Sequence, residues 1–405
     1  MSTELELDPL LLRESAKEMS KPSRLAYVSL WDARDPNAES GYPYAMLKQL
    51  EKHFSVLELF PLRVGALRFF HRRVIGKLTG QYYHHMREPT VLRRLAASID
   101  HFCEKAKPHI LFLPTSIPLT CVRSPLPSVV ATDQVFASLE GTYIKALSDR
   151  FRVMGSEQER MALHKASRIT FPSHWAADIA QRYYQVPANK IRVIPWGANV
   201  DEPPKLDQVV SSIERRLARQ CTLVFIGRDW HRKGGDVVIS TLRCLAEMGV
   251  ETELIIIGCR PKIHDEALRV TIYPFLNKHI PAEARLFSEI MGKAHFLFVP
   301  SRAEAFGQCF CEAAAFGTPA LSYATGGIPT IVQNGTTGFI LAAGSPPEMF
   351  AHTIFDTISN RLLYRSIALQ ARRDFESRLN WDSFGQNVAK MIVELLNSEG
   401  GRVDD

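Results

Sequence analysis

The sequence predicts an α/β protein with two doubly wound domains, each built from a parallel sheet covered by helices. From residue 24 onward, short apolar runs alternate with stretches of helical periodicity, an order that is typical of parallel sheets. The pattern is interrupted at a proline-containing segment and then restarts, which indicates a second domain of the same architecture. A chain of 405 residues is long enough for two domains.

Eleven segments of the sequence are expected to form strands. Each is a short apolar run that ends in Gly, Pro, Thr or Ser or in a polar residue, so the loops of interest lie at the carboxyl ends of the strands. The segments are residues 24–30, 109–114, 128–132, 168–173, 191–195, 222–227, 253–258, 270–275, 295–300, 318–323 and 338–341.

The segment 197–208 separates the two series of strands. It contains two adjacent prolines, which exclude a regular helix or a central strand there, so we expect an interdomain linker. The N-terminal domain is accordingly placed at residues 1–202 and the C-terminal domain at 203–382. A final helix at about 383–400 is expected to pack back on the first domain.

The composition is that of an ordinary globular protein, with 46% hydrophobic and 23% charged residues and a net charge of +6. Seven cysteines, an odd number, occur without a Cys-x-x-Cys pair, which favours reduced thiols in a cytoplasmic protein over a disulfide framework. Cys309 and Cys311 are assigned to packing, because a structural zinc site needs four ligands. The sequence opens without the pattern of a secretory signal, and no apolar run reaches the ~18 residues of a membrane-spanning helix.

Positive charge is concentrated in residues 61–87, which hold six Lys/Arg and no Asp/Glu, interleaved with aromatic residues. The segment 62–88 is expected to contact anionic lipid at the inner face of a membrane, to bind a charged acceptor, or to be an ordinary basic surface. Nucleic-acid binding is disfavoured because no recognised reading module accompanies the charge. The adjacent His84 and His85 are poorly placed to share a metal.

A candidate anion site follows the strand at 222–227. Gly227 and Arg228 end the strand, and Lys233 precedes two glycines and a helix. The glycines allow close backbone approach, Arg228 can bind phosphate oxygens through two hydrogen bonds, and Lys233 can act as a mobile point charge. Alternatively, both cations are solvated surface charges. The segment lacks the dinucleotide-binding and P-loop patterns, so nicotinamide chemistry and ATP hydrolysis are not favoured.

Two carboxylates flank the start of a later helix. The helix is expected to begin near Gly307 or Gln308 and to end at Gly317, so Glu304 precedes it and Glu312 lies inside it. The two acids then share no helical face, which disfavours a paired acid–base arrangement. Amides at the helix start would attract phosphate, and the carboxylates would bind ribose or sugar hydroxyls. Alternatively, they are a charge at a helix start and a solvated helix position.

Four motifs of the second half form a pattern known from one enzyme family: Arg228 with Lys233, Glu304-x7-Glu312, "GTP" at 317–319 and "GGIP" at 326–329. They resemble the retaining glycosyltransferases of the GT-B fold in the glycosyltransferase group 1 family, which includes enzymes of bacterial glycan and lipopolysaccharide synthesis. The likeness extends to "IPWGANVD", with Trp196 where the family commonly has Asn. It covers residues 160–345 well and the first 150 residues in outline.

The resemblance implies two Rossmann-like domains that face each other across a cleft. It also implies transfer of a sugar from a nucleotide-diphosphate sugar, with UDP or GDP as the nucleotide, to a hydroxyl of a glycan, glycolipid or small molecule. The anomeric configuration would be retained. No cofactor and no divalent metal are implied, and the sequence has no Asp-x-Asp pair in a suitable loop. Cations and a helix dipole would stabilise the leaving diphosphate instead.

The resemblance also assigns roles to residues of the donor site. Arg228 and Lys233 would neutralise the diphosphate, and the backbone around Phe306 and Gly307 would hold it. The remaining donor contacts are Glu304 to the sugar, Glu312 to the ribose diol and the Leu276 backbone to the base. From the residues themselves, Gly326 and Gly327 are expected either to present backbone amides to sugar hydroxyls or only to make a turn.

The first domain would bind the acceptor. Gly41 opens an amphipathic helix where the family often has a Gly-Gly loop near the donor phosphates, and here the pair is Ser40-Gly41. Asp133 ends a strand where many relatives carry His, so it is a candidate for binding a sugar hydroxyl or assisting the acceptor proton, or else a helix N-cap. Thr330 stands where the family commonly has Glu.

Two other classes of function stay open. A GT-B sugar-nucleotide epimerase or hydrolase would keep the diphosphate site and need no acceptor. A non-catalytic nucleotide-sugar-binding protein would keep the fold and lose the residues that grip the donor. The joint presence of Arg228, Lys233, Glu304 and Glu312 argues against this last class.

Overall fold

A computed structural model describes residues 23–62, 84–140, 143–144, 147–216 and 220–400 of the chain. Six parallel strands form its first sheet: β1 (Arg24–Val28), β2 (Ser55–Leu59), β3 (Ile110–Leu113), β4 (Ser128–Ala131), β5 (Arg168–Phe171) and β6 (Ile191–Val193). Their order across the sheet is β2-β1-β3-β4-β5-β6.

The second sheet repeats this architecture. Its six strands are β7 (Cys221–Ile226), β8 (Thr252–Ile257), β9 (Arg269–Tyr273), β10 (Phe296–Phe298), β11 (Ala320–Tyr323) and β12 (Gly338–Leu341). They are parallel and ordered β12-β11-β10-β7-β8-β9. The strand order therefore reverses beside β1 in the first sheet and beside β7 in the second, and such points are where open α/β sheets bind ligands.

Helices cover both sheets. The helices of the first domain are α1 (Tyr42–Leu50), α2 (Pro89–Ala106), α3 (Asp149–Lys165) and α4 (His174–Tyr184). Those of the second are α5 (Leu206–Arg216), α6 (Gly235–Glu247), α7 (Pro281–Lys293), α8 (Gln308–Ala315), α9 (Ile328–Ile331), α10 (Pro347–Ser359) and α11 (Arg361–Arg378). A final helix, α12 (Trp381–Gly400), follows them. Local sequence sets several helix starts. Ser148, Ser173 and Asn360 each accept a hydrogen bond from a first-turn amide, the usual role of these residue types.

The eleven predicted strands are all present, and one strand, β2, was missed. The central strands β3, β4 and β10 are fully buried, because a parallel sheet is covered on both faces and its strands read as continuous apolar runs. β2 lies at an edge of the first sheet and alternates between exposed and partly buried residues. Its sequence, SVLEL, therefore lacks the apolar run that identified the others.

The predicted linker is largely irregular, although α5 begins at Leu206, inside the range 197–208 that was expected for the linker. Past the linker the chain forms the second domain, and α12 then returns to contact α1. Lys52 Nζ lies 2.5 Å from Asp382 Oδ1 across this contact. The limits assigned to the two domains remain a prediction.

An aromatic cluster joins the domains below the cleft between them. Trp196 is buried and stacks on Tyr42 with ring centroids 4.6 Å apart. It also packs against Phe306 at 5.9 Å and Trp381 at 6.3 Å. Beside the cluster, the side chain of Asn199 donates to the Ser40 carbonyl at 2.6 Å and accepts from Trp381 Nε1 at 2.9 Å.

Within the described part of the chain, no helix is both long and apolar enough to span a membrane. Most of the predicted basic segment, residues 63–83, lies outside the described residues. The possible contact of this segment with lipid or acceptor therefore stays a prediction.

Candidate functional site

The candidate site is a cleft of about 960 Å3 between the two domains. The loops after β1 and β4 line it from the first domain, and the loops after β7, β8 and β9 line it from the second, together with the start of α8. It therefore lies at the carboxyl edges of both sheets, and its size is within the range of ligand sites. Another cavity, of about 880 Å3, lies at the amino ends of β7 and β8, and none of the predicted site residues lines it.

The two predicted cations take different positions. Arg228 is exposed at the end of β7, with its guanidinium 6.0 Å from the centre of the Phe275 ring. Lys233 is buried, and its ammonium contacts Glu304 Oε2. The alternative of a solvated lysine was wrong, because Lys233 is buried. Its role as a mobile charge on a diphosphate stays a prediction.

Gly227 permits this packing of Lys233. A Cβ atom at Gly227 would lie 2.9 Å from Lys233 Cγ, so the glycine leaves room for the lysine stem. Burial is the largest single influence and would lower the pKa of Lys233, but the charge and hydrogen bond of Glu304, with a further contribution from Cys309, together raise the pKa. Lys233 is therefore charged at neutral pH.

The helix start between the two carboxylates is confirmed. α8 begins at Gln308 and follows Gly307, whose φ of +98° favours glycine, and Gly317 follows the helix end with φ +56°. A Cβ at Gly307 would also lie 2.6 Å from the ring of Phe310. In the first turn of α8 the Phe310 amide donates to the Gly307 carbonyl at 3.0 Å. Gly307, Gln308 and Cys309 line the cleft, where the amino end of the helix can bind an anion.

Glu304 is a buried carboxylate held by several groups. Besides Lys233, its Oε2 lies 3.4 Å from Ser301 Oγ and 3.9 Å from Arg232 Nη1. Arg232 in turn lies over the ring of Tyr143, at 5.0 Å. Tyr143 OH accepts a hydrogen bond from the amide of Ala305 at 2.9 Å, so the first domain contacts the loop that carries Glu304.

Glu312 has a separate partner. It is buried on α8, and its Oε1 contacts the ammonium of Lys278 in the loop after β9. Leu276, predicted to read the base, lines the cleft in the same loop. The two glutamates therefore sit in two different ion pairs, and their separate contacts to a ligand stay a prediction. The alternative of a solvated Glu312 was wrong.

Asp133 lies two residues after the end of β4 and lines the cleft from the first domain. Burial raises the pKa of its carboxyl to about 7, and the charges of Glu304 and Glu39 act in the same direction. The next helical turn, Phe136–Ser138, begins after Val135. Asp133 is therefore not an N-cap, and that alternative was wrong.

Gly41 precedes α1 as predicted, with φ +84°, and it follows two non-glycine residues that also have positive φ, Glu39 and Ser40. Glu39 and Ser40 line the cleft, whereas Gly41 borders a cavity of about 340 Å3 behind the loop. A contact between Gly41 and a diphosphate stays a prediction. Burial raises the pKa of Glu39, and the charge of Arg228 opposes the rise.

The glycine pair Gly326 and Gly327 packs against the loop that carries Glu304. A Cβ at Gly326 would overlap the Glu304 carbonyl oxygen, and one at Gly327 would overlap that of Ala305. The Gly327 amide donates to the Glu304 carbonyl at 3.1 Å, so it is not available to a sugar hydroxyl in this conformation. Their predicted sugar contact stays a prediction, and their observed role is to position Glu304.

Thr330 has an interdomain partner, since its Oγ1 accepts from the amide of His174 at 3.1 Å.

The cysteines of α8 pack as expected: burial raises the pKa of Cys309 to about 12, and Cys311 Sγ lies 3.7 Å from the Trp196 carbonyl. The described residues include no group of three His, Cys, Asp or Glu side chains arranged to hold a metal ion.

Sequence reasoning missed several residues of the cleft. Glu39, Tyr143 and Arg232 carry no motif, and their position depends on contacts between the two domains. Lys278 could have been found from its place two residues after Leu276, in the loop assigned to the base.

Comparison with known proteins gives two family matches. The model "Glycosyltransferase Family 4" matches residues 44–202, and the model "Glycosyl transferases group 1" matches residues 220–360. A D-inositol 3-phosphate glycosyltransferase of Streptomyces avermitilis is 26% identical over 266 residues, which are 62% of this chain and 56% of that protein. The match thus spans less than two thirds of this relative.

Solved structures resemble the whole chain. Sucrose-phosphate synthase from Thermosynechococcus elongatus superposes with a TM-score of 0.68 at 17% identity, over 93% of this chain and 100% of that one. Anabaena HepE, solved in complex with UDP, gives 0.63 at 16% identity, over 92% and 100%. At these identities the likeness shows the fold, and the predicted fold class is confirmed.

Proposed function

The chain belongs to the glycosyltransferase group 1 family and has the GT-B fold, and from this premise we propose that it transfers a sugar from a nucleotide-diphosphate sugar to an acceptor hydroxyl with retention of the anomeric configuration. The observation that carries the proposal is the composition of one cleft. Arg228, the amino end of α8, Glu304 and Glu312 all line it, and together they match the diphosphate, sugar and ribose of such a donor.

The second domain would bind the donor. Arg228 and the amides near Phe306 and Gly307 hold the diphosphate, and the ammonium of Lys233 can donate to it the protons that Glu304 does not take. Glu312 binds the ribose diol, and the backbone at Leu276 contacts the base. These assignments are the ones that the resemblance to the glycosyltransferase group 1 family implies, and they agree with the presence of Arg228, Leu276 and Glu312 in one cleft.

In the transfer step the bond between the anomeric carbon and the diphosphate oxygen breaks, and its electron pair remains on the diphosphate. The acceptor oxygen bonds to the same carbon on the face that the diphosphate leaves. The acceptor proton passes to the departing phosphate oxygen, so no dedicated base is needed. Arg228 and the α8 dipole stabilise the developing negative charge, and no divalent metal is required.

The acceptor would enter from the first domain, where Asp133 accepts a hydrogen bond from its hydroxyl. We expect a carbohydrate or lipid-linked acceptor, and a cytoplasmic protein in which residues 62–88 can contact an anionic membrane. Binding of both substrates between two domains orients the reacting atoms and excludes water.

Binding of UDP, GDP and ADP, measured by titration calorimetry in buffer with EDTA, tests the donor site. We expect one of them to bind the wild-type chain, and Arg228→Ala to weaken its binding about tenfold, a loss typical of a charged hydrogen bond. Arg260→Ala, an exposed arginine outside the cleft, is the matched control. Absence of binding by all three nucleotides would contradict the proposal.

Transfer itself is tested with the sugar forms of the nucleotide that binds. Release of nucleoside diphosphate is followed with candidate acceptors, and the anomeric configuration of the product is read by NMR. Retention is the expected result. An inverted product, or conversion of donor alone into an epimer, would contradict the proposed reaction.

A further inference from the structure

The ion pair between Lys278 and Glu312 lies at the end of the cleft where the nucleoside is proposed to bind. The Lys278 ammonium contacts Glu312 Oε1 and lies 5.2 Å from the centre of the Phe287 ring. The Glu312 side chain is 6% exposed, whereas that of Lys278 is 26% exposed. The lysine therefore offsets the charge of a buried carboxylate and still faces the cleft.

The backbone on both sides of Lys278 is fixed by hydrogen bonds. The Asn277 amide donates to Glu283 Oε2 at 2.5 Å, and the Ile280 amide donates to the Asn277 carbonyl at 2.9 Å. The amide of His279 donates to Asn277 Oδ1 at 3.1 Å. With its backbone held and its stem beside Phe287, Lys278 is presented to the cleft in a defined position, unlike a lysine on an open surface.

The two side chains have complementary hydrogen-bonding capacity. A carboxylate only accepts and an ammonium only donates, whereas each hydroxyl of a diol does both. Within the described part of the chain, no side chain or backbone group is hydrogen-bonded to Glu312 Oε2. The ammonium uses one of its three protons on Oε1 and retains two. A vicinal diol can therefore donate to Glu312 and accept from Lys278 at the same time.

We propose that Lys278 and Glu312 act together as a clamp for the ribose diol, with Lys278 donating to a ribose hydroxyl oxygen and Glu312 accepting from the hydroxyls. The proposal rests on the proposed function and deepens it, because it adds Lys278 as a residue that determines specificity for the ribose. Lys278 then binds the ribose and contributes to donor specificity, and Glu312 supplies only part of the contacts to the diol.

The pairing of the Lys278 charge distinguishes a role in ribose binding from a role in diphosphate binding. Its ammonium is paired with Glu312, so the pair contributes little net attraction for a distant phosphate. Arg228 is exposed, and among the described residues no carboxylate lies within 4 Å of it. Loss of Lys278 should therefore leave the salt dependence of nucleotide binding unchanged, whereas loss of Arg228 should reduce it.

The test compares two forms of one nucleotide on the full chain. Calorimetry first identifies which of UDP, GDP and ADP binds most tightly, and then that nucleotide and its 2′,3′-dideoxy form are titrated into each variant. Lys278→Met keeps an unbranched stem beside Phe287 and removes the donor. We expect the Kd of the ribose form to rise about tenfold or more, and that of the dideoxy form to change less than about twofold.

Two further variants complete the design. Lys262→Met removes the same charge from an exposed position outside the cleft and should change neither Kd. Lys278→Gln, which can still donate to Glu312, replaces Lys278→Met if thermal unfolding shows that the methionine variant is not folded. The glutamine variant should keep part of the preference for the ribose form.

Equal losses for the two nucleotide forms would overturn the clamp and leave the proposed function standing, because Lys278 would then act on the base, on the phosphates or on folding. An unchanged Kd for both forms would also overturn it. If none of the three nucleotides binds the wild-type chain, the proposed function and the clamp fail together.

Discussion

Trp196 stacks on Tyr42 with an interplanar angle of 22°, and this contact joins the end of the first sheet to the amino end of α1 at the bottom of the cleft. Since Trp196 also touches Phe306 and Trp381 of the second domain, one side chain packs against three parts of the chain. Its indole nitrogen has no hydrogen-bond partner among the described residues.

We expect Trp196→Ala to lower the free energy of unfolding by about 3 kcal/mol, because a large buried aromatic ring is lost and a cavity remains. Trp196→Phe keeps most of the ring contacts and leaves no buried N–H without a partner, so its cost should be below about 1.5 kcal/mol. Urea unfolding followed by circular dichroism measures both. If Trp196→Ala and Trp196→Phe lowered the free energy of unfolding by the same amount, the stacking would contribute nothing to stability.

Glu304→Gln should reduce transfer at least about 100-fold while changing the Kd of the nucleoside diphosphate less than about threefold, since the carboxylate is assigned to the sugar rather than to the nucleotide. Transfer rates and calorimetry on the same preparation measure the two effects. Glu289→Gln, at an exposed position outside the cleft, is the control and should behave as wild type. Wild-type transfer by Glu304→Gln would remove Glu304 from the mechanism.

Asp133 predicts a pH dependence of activity. Its carboxyl, with a pKa raised to about 7, accepts a stronger, charge-assisted hydrogen bond from the acceptor hydroxyl when it is ionised. kcat/KM should therefore rise with pH through about 7 in the wild type. Asp133→Asn should lower kcat/KM and remove this inflection, whereas an inflection that persists in the variant would assign it to another group.

The same carboxyl predicts the pH dependence of stability. A raised pKa means that the folded chain holds this proton more tightly than the unfolded chain, for which the reference pKa is 3.8. The contribution of Asp133 to stability is thus largest below pH 3.8 and is lost as the pH rises through about 7. Asp133→Asn should then gain stability relative to wild type between pH 4 and pH 8 in thermal unfolding, and a constant difference would contradict the raised pKa.

Gly327→Ala should destabilise the chain by about 2 kcal/mol and reduce transfer, because the new Cβ would overlap the Ala305 carbonyl and displace the loop of Glu304. The φ of Gly327, −78°, suits any residue, so steric overlap alone causes the loss. Gly292→Ala is the control: it lies in α7, with Ser212 Oγ at 3.8 Å as the nearest atom, and should be neutral or stabilising by up to about 1 kcal/mol. Equal stability of the two variants would contradict the packing role.

The sequence predicted those parts of the fold that depend on residues close together in the chain, namely the buried strands and the limits of a helix. Buried strands of a parallel sheet must be apolar along their whole length, so eleven strands could be read directly, and Gly307 and Gly317 marked the limits of α8 through their backbone conformations. β2 could not be read in this way, because an edge strand with partly exposed residues has no such run.

Contacts between distant segments could not be predicted. Lys233 and Glu304 were both identified, but their ion pair depends on the loops after β7 and β10 meeting where the strand order reverses. Lys278 and Glu312 meet through an equally long-range contact, between the loop after β9 and α8. A single sequence contains the residue types of these pairs and no local signal for their approach.

Asn199 has a mechanical consequence. Its two hydrogen bonds tie the segment that leaves the first sheet both to Ser40, beside the cleft, and to Trp381, at the start of the last helix. A movement of Trp381 relative to Ser40 would stretch or break one of these bonds. The Glu39–Gly41 loop and the start of the last helix are therefore coupled mechanically through a single side-chain amide.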